Sequence, residues 1–109
     1  MSWEVKFFKT NRGEFPVKVF IKEQDEVSYS KLLHSINLLT GNGPYLKPPY
    51  VKKIQNNLYE LRVSGKIQIR IFYTFYGNTY YLIHAFKKKS QKTPIKELRI
   101  AIDRLKKIR

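Results

Sequence analysis

The sequence predicts an α+β domain made of an N-terminal strand, two helices, a three-stranded antiparallel meander and a C-terminal helix. Three observations carry that prediction. Apolar residues alternate with polar ones from Trp3 to Phe8 and again through Leu58 to Lys87. They recur at helical spacing between Asp25 and Gly41 and once more after Thr93. Two short turn sequences, Ser64-Gly65-Lys66 and Gly77-Asn78, divide the 58–87 run into three strands that tight turns must fold back on one another. With 109 residues, 42% of them hydrophobic, the whole chain is expected to be one domain around one core.

The elements follow in order. Trp3, Val5 and Phe7 alternate with Glu4 and Lys6 in the first strand, and Asn11, Arg12 and Gly13 mark a turn. Pro16 suits the first turn of a short helix with Val17, Phe20 and Ile21 on one side. Asp25 can cap a second helix, Glu26 complements its dipole, Tyr29, Leu32, Leu33, Ile36 and Leu39 form its apolar face, and Gly41 is the expected stop. Residues 42–49 hold Pro44, Pro48 and Pro49 and read as a loop, ordered through Tyr45 and Leu46. In the meander, Tyr59, Leu61 and Val63 share one face with Ile67, Ile69, Ile71, Tyr73 and Phe75, while Glu60, Arg62, Gln68, Arg70, Phe72 and Thr74 take the other. Helices are expected over the first face, leaving Glu60, Arg62 and Arg70 to stand together on the second if the register pairs them. Thr93 as cap and Pro94 at the first helical position start an amphipathic helix whose stripe runs Ile95, Leu98, Ala101 or Ile102, Leu105, Ile108.

Charge narrows the function. Lys and Arg number 22 against 8 Asp and Glu, a formal net charge of +14. Such a field attracts polyanions, so nucleic acid or an acidic protein is the expected partner. The absence of cysteine excludes disulfides, thiolate metal sites and cysteine nucleophiles, and nothing in the sequence calls for a cofactor or metal. No apolar run approaches the roughly 18 residues of a membrane span, so a cytoplasmic location is expected. His34, between Leu33 and Ser35, reads as a surface residue.

One block of sequence carries a family likeness: Leu58-Tyr59-Glu60-Leu61-Arg62, Gly65, Arg70-Ile71-Phe72-Tyr73, Leu82 through Lys89, and Gln91-Lys92-Thr93-Pro94. In order and spacing it resembles the phage-derived HigB-like subgroup of the RelE superfamily of bacterial toxins. The segment from Leu58 onward that holds the block is about half the chain, and the N-terminal half agrees in layout more than in residues. The resemblance implies a RelE-like fold and cleavage of messenger RNA in the ribosomal decoding site. It also implies a HigA-like helix-turn-helix antitoxin as partner, beside the message and ribosomal RNA.

Ribonuclease chemistry of that kind needs in-line attack by a 2′-hydroxyl, charge stabilisation on the phosphoryl oxygens and two proton transfers. Arg62 and Arg70 offer guanidinium forks for the phosphate, or pair with Glu60 as a structural ion pair. Lys87, Lys88, Lys89 and Lys92 form a basic cluster that either grips RNA backbone or, because crowding of like charges eases proton loss, supplies a general acid or base. Lys88 is the candidate by its place in the motif. Glu60 is a candidate base or an orienting partner, and His84 a catalytic group or a core-edge histidine. Tyr73 and Phe86 are candidate stacking surfaces for an unpaired base. Replacing Arg70 or Lys88 by Ala is expected to remove activity and spare folding. Two other functions fit the residues: a basic nucleic-acid-binding module without catalysis, and an inactive protein that binds an antitoxin-like partner.

Overall fold

The computed structural model describes residues 2–108, arranged as β1 (Glu4–Phe7), α1 (Pro16–Lys22), α2 (Glu26–Asn42), β2 (Val51–Gln55), β3 (Leu58–Val63), β4 (Ile69–Tyr76), β5 (Thr79–Lys87) and α3 (Ile95–Lys106). The strands form one mixed sheet in the order β1-β5-β4-β3-β2. The expected meander is β3-β4-β5, extended at both edges into a five-stranded sheet. β1 lies parallel to β5, with Val5 beside Tyr80 and Phe7 beside Leu82. β2, which the sequence had not disclosed, pairs antiparallel with β3. Lys52 and Lys53 are both exposed in β2, which breaks the alternation that marks a strand.

Both sheet faces carry a core. On one, Val17 and Ile21 of α1 and Leu32 and Leu39 of α2 pack on Leu61, Val63, Ile69, Ile71, Tyr73 and Leu82. On the other, α3 lays Leu98, Ala101, Ile102 and Leu105 over Leu58, Phe72, Ile83 and Phe86. Complete burial of a Leu or Phe contributes about 1.5–3 kcal/mol, so α3 is held chiefly by this second cluster. The face that bears Arg62 and Arg70 is therefore covered along most of its length, and only one end of it stands open.

Several local expectations are corrected. Ile67 precedes β4 and is 37% exposed, and Phe75, near the end of β4, is 41% exposed and packs beside Tyr80. Tyr29 and Leu33 on α2 face outward, leaving Leu32, Leu39, Ile36 and the small Ser28 toward the sheet. Asp25 caps α2 as expected, accepting from the Ser28 backbone N–H at 2.8 Å. The helix runs past Gly41 to Asn42 and stops at Gly43, which leads into a single 3-10 turn, Gly43–Tyr45. Gly43 has φ +52, and a Cβ there would stand 2.5 Å from the Trp3 ring. Gly41 has no such neighbour, so it is tolerated within the helix and does not end it.

A bulge in β5 sets the faces at the site. Phe72 pairs with His84 and Tyr73 with Leu82, which leaves Ile83 as the extra residue. Strict alternation would put His84 and Phe86 on the Leu82 face. The bulge turns Ile83, His84 and Phe86 all toward α3.

Candidate nucleic-acid interface

Arg62 and Arg70 are direct partners across β3 and β4. Like charges facing each other on adjacent strands repel, and Glu60, one step along the same face, offsets them. Its Oε1 lies 3.3 Å from Arg62 Nε and 3.6 Å from Arg70 Nε. Glu60 is 1% exposed. Its second carboxylate oxygen accepts from the Thr93 hydroxyl at 3.4 Å. Thr93 was expected to cap α3; instead Pro94 occupies the cap position without a side-chain bond, and the Thr93 hydroxyl ties the start of the helix to the ion pair.

Arg70 is buried, and its Nη1 donates to the Ile69 carbonyl at 3.1 Å and to Gln68 Oε1 at 3.4 Å. Its Nε, at ion-pair but not hydrogen-bond distance from Glu60, is a buried donor with no hydrogen-bond partner among the described residues. Burial pushes the Arg70 guanidinium below its usual range and the Glu60 carboxylate opposes that shift. Two guanidiniums sharing one carboxylate leave one positive charge uncompensated. A phosphate would supply the missing anion.

The basic cluster is divided between the two faces. An open cleft is lined by Gln68, Arg70, Lys88, Lys89, Ser90 and Gln91. The Lys88 backbone N–H donates to the Gln68 carbonyl at 2.8 Å, continuing the β4–β5 ladder one residue and fixing Lys88 at the cleft. Lys88 is half-buried, whereas Lys89 and Lys92 are exposed. Lys87 pairs with Ile69 and so belongs to the opposite face. There its charge helps Ser28 hold the Asp25 carboxyl below its ordinary value, the hydrogen bonds from Ser28 being the larger cause.

The remaining candidates lie away from the cleft. His84 Nε2 is 2.7 Å from Glu97 Oε1, and Arg104 Nη1 is 3.2 Å from His84 Nδ1 and 2.9 Å from the Ile83 carbonyl. A guanidinium can only donate, so Nδ1 accepts and Nε2–H donates to Glu97, which defines a neutral ring. Burial pushes the His84 pKa down, Glu97 opposes that shift and the charge of Arg104 adds to it. Both ring nitrogens thus serve to fasten α3 to the sheet. Tyr73 and Phe86 are corrected as stacking surfaces because both are core, at 4% exposure each. Tyr73 stacks on Tyr59 at 5.5 Å on the α1–α2 face, where burial raises its phenol pKa; Phe86 lies against Phe72 at 5.4 Å under α3.

Residues to which the sequence assigned no part in the site complete the arrangement. Thr93 and Gln68 hold the ion pair, and Glu97 and Arg104 hold His84. Alternation places Gln68 on the Arg70 face, but the other three are long-range partners with no local signal. Among the described residues no group of three or more His, Asp or Glu is placed to hold a metal ion. No helix there is long and apolar enough to cross a membrane.

No curated protein matches the chain. Residues 19–106 match the family described as Phage derived protein Gp49-like (DUF891), a span from within α1 to the last residue of α3 that includes every residue of the cleft and the ion pair. The protein belongs to the Gp49-like family of phage-derived proteins.

Proposed function

We propose that the protein is the toxin of a type II toxin–antitoxin pair, a ribosome-dependent messenger-RNA endonuclease of the HigB kind in the RelE superfamily. The observation that carries this reading is the Glu60-Arg62-Arg70 cluster, short of one negative charge, whose Arg70 lines an open cleft with Lys88 and Lys89. Its family membership and net charge of +14 support the same reading. The message held on the ribosome is the substrate, the cytoplasm the compartment, and a HigA-like helix-turn-helix antitoxin the protein partner.

In this mechanism the scissile phosphate docks on Arg62 and Arg70. The guanidiniums neutralise the phosphoryl oxygens as the 2′-oxygen bonds to phosphorus and the bond to the 5′-oxygen breaks. The products are a 2′,3′-cyclic phosphate and a 5′-hydroxyl. The proton leaves the 2′-hydroxyl for a base and another reaches the 5′-oxygen. Lys88 is assigned to proton transfer because it edges the cleft, whereas Glu60 is enclosed by cations and both nitrogens of His84 are engaged by α3 residues.

Induced expression with mapping of the 5′-ends of cellular messages tests this. Wild type is expected to arrest growth and cut translated messages at codon-positioned sites. Lys88→Ala is expected to abolish cutting while changing stability by no more than about 0.5 kcal/mol, since the side chain is partly solvated. Lys88→Arg keeps the charge and loses the proton transfer, so it should remain inactive. Intact messages and normal growth with folded wild type would defeat the reading. A non-catalytic RNA-binding module is the second reading, favoured by the engagement of His84 in fastening α3; binding without cutting would select it.

A further inference from the structure

At the end where the two arginines stand, their face has no accessible aromatic from β3, β4 or β5, since Tyr76 and Tyr81 lie at the other end of the sheet. Phe72 and Phe86 are sealed beneath α3, and Tyr59 and Tyr73 belong to the opposite face. The chain supplies one from the strand the sequence did not disclose. The β2–β3 register, Val51 opposite Leu61 and Lys52 opposite Glu60, continues one residue outward to Tyr50 opposite Arg62. The Arg62 backbone N–H donates to the Tyr50 carbonyl at 2.8 Å, which holds Tyr50 beside Arg62. Tyr50, immediately before β2, thus stands in a row with Arg62 and with Arg70, the partner of Arg62 across β3 and β4.

Tyr50 is 51% exposed. Its backbone N–H donates to the Lys47 carbonyl at 3.0 Å, closing a turn that holds the residue at the sheet edge. Side chains directly opposite on neighbouring strands have Cβ atoms about 4.5–5.5 Å apart, comparable to the reach from a nucleotide's phosphate to its base. A phosphate on the guanidinium pair therefore brings an adjoining base over the phenol ring. Every base offers a flat face for such stacking.

We propose that Tyr50 is a specificity residue that stacks on the nucleobase adjoining the scissile phosphate and positions it against Arg62 and Arg70. This rests on the RNA-cleaving reading above. Stacking on Tyr50 fixes where along the strand the phosphate falls, and so which base stands beside the cut.

The test is 5′-end mapping in cells expressing the full chain as wild type, Tyr50→Phe, Tyr50→Ala or Tyr45→Ala. Tyr45 is also exposed, at 73%, but lies beside Trp3 and away from the row. The stacking role predicts that Tyr50→Ala cuts about 10- to 100-fold less and loses base preference next to the cut, in line with the loss of one stacked base. Tyr50→Phe should keep both, Tyr45→Ala should behave as wild type, and all four should unfold at the same temperature. Unchanged preference and rate in Tyr50→Ala, while wild type cuts, would overturn the stacking role and leave the nuclease reading standing. No cutting by folded wild type would overturn both. Equal losses in Tyr45→Ala and Tyr50→Ala would overturn the specific placement of Tyr50.

Discussion

At the scale of single residues, the decisive feature is a carboxylate shared by two guanidiniums. Glu60 serves both arginines, so its loss and the loss of one arginine have unequal consequences. Glu60→Gln leaves two cations facing each other across β3 and β4 with no anion between them, Arg70 being buried, and should cost about 3 kcal/mol. Arg70→Met leaves Glu60 balanced by Arg62 at 3.3 Å and removes the unpartnered Nε, so it should cost about 1 kcal/mol. Urea unfolding of the two variants measures the difference. An Arg70→Met loss equal to or greater than that of Glu60→Gln would refute the shared-carboxylate account. The expectation that Arg70 is replaceable without structural cost came from treating its face as open. Arg70 is instead a buried cation between Glu60 and the 88–91 side of the cleft.

At the scale of elements, α3 depends on a neutral histidine. Arg104 donates to His84 Nδ1, and protonation of that nitrogen would set two donors against each other beneath the helix. The His84 pKa is depressed in the folded state, so the unfolded chain binds the proton more readily. The stabilisation is therefore fully present above the ordinary histidine value of 6.5 and is lost as pH falls from there through the folded pKa. Thermal unfolding of His84→Gln should lack this part of the acid-side decline. A decline as steep as that of wild type between neutrality and mild acid would show that other groups cause it. Little of this clamp was legible in sequence. The existence of α3, its stripe and the shared face of Arg62 and Arg70 were readable, because each repeats a periodicity over many residues; the packing of α3 on that same face was not. The β5 bulge was not: a one-residue slip leaves no local mark, yet it alone carries His84 and Phe86 to the α3 side. β2 was hidden by adjacent Lys52 and Lys53 on an edge that charge keeps from pairing further.

At the scale of the whole molecule, a net charge of +14 attracts polyanions to any part of the surface, and the proposed cleft must be told apart from that general field. Lys88 and Lys89 edge the cleft on the α3 side of the sheet, whereas Lys18 and Lys22 are exposed on α1, which packs on the other side. Either pair replaced by Ala lowers the net charge by the same amount. For single strands, each phosphate neutralised contributes roughly 0.7 to the slope of log affinity against log salt. Binding of a short single-stranded RNA, its 2′-hydroxyls methylated to block cutting, should therefore lose about 1.4 from that slope in Lys88→Ala/Lys89→Ala, and much less in Lys18→Ala/Lys22→Ala. Screening is the reason: at 0.1 M salt, charges more than about 10 Å from the bound strand contribute little. Titrations across a range of potassium chloride would show it. Equal reductions in the two double variants would mean that the RNA rides on the field of the whole protein, and the cleft would no longer qualify as its binding site.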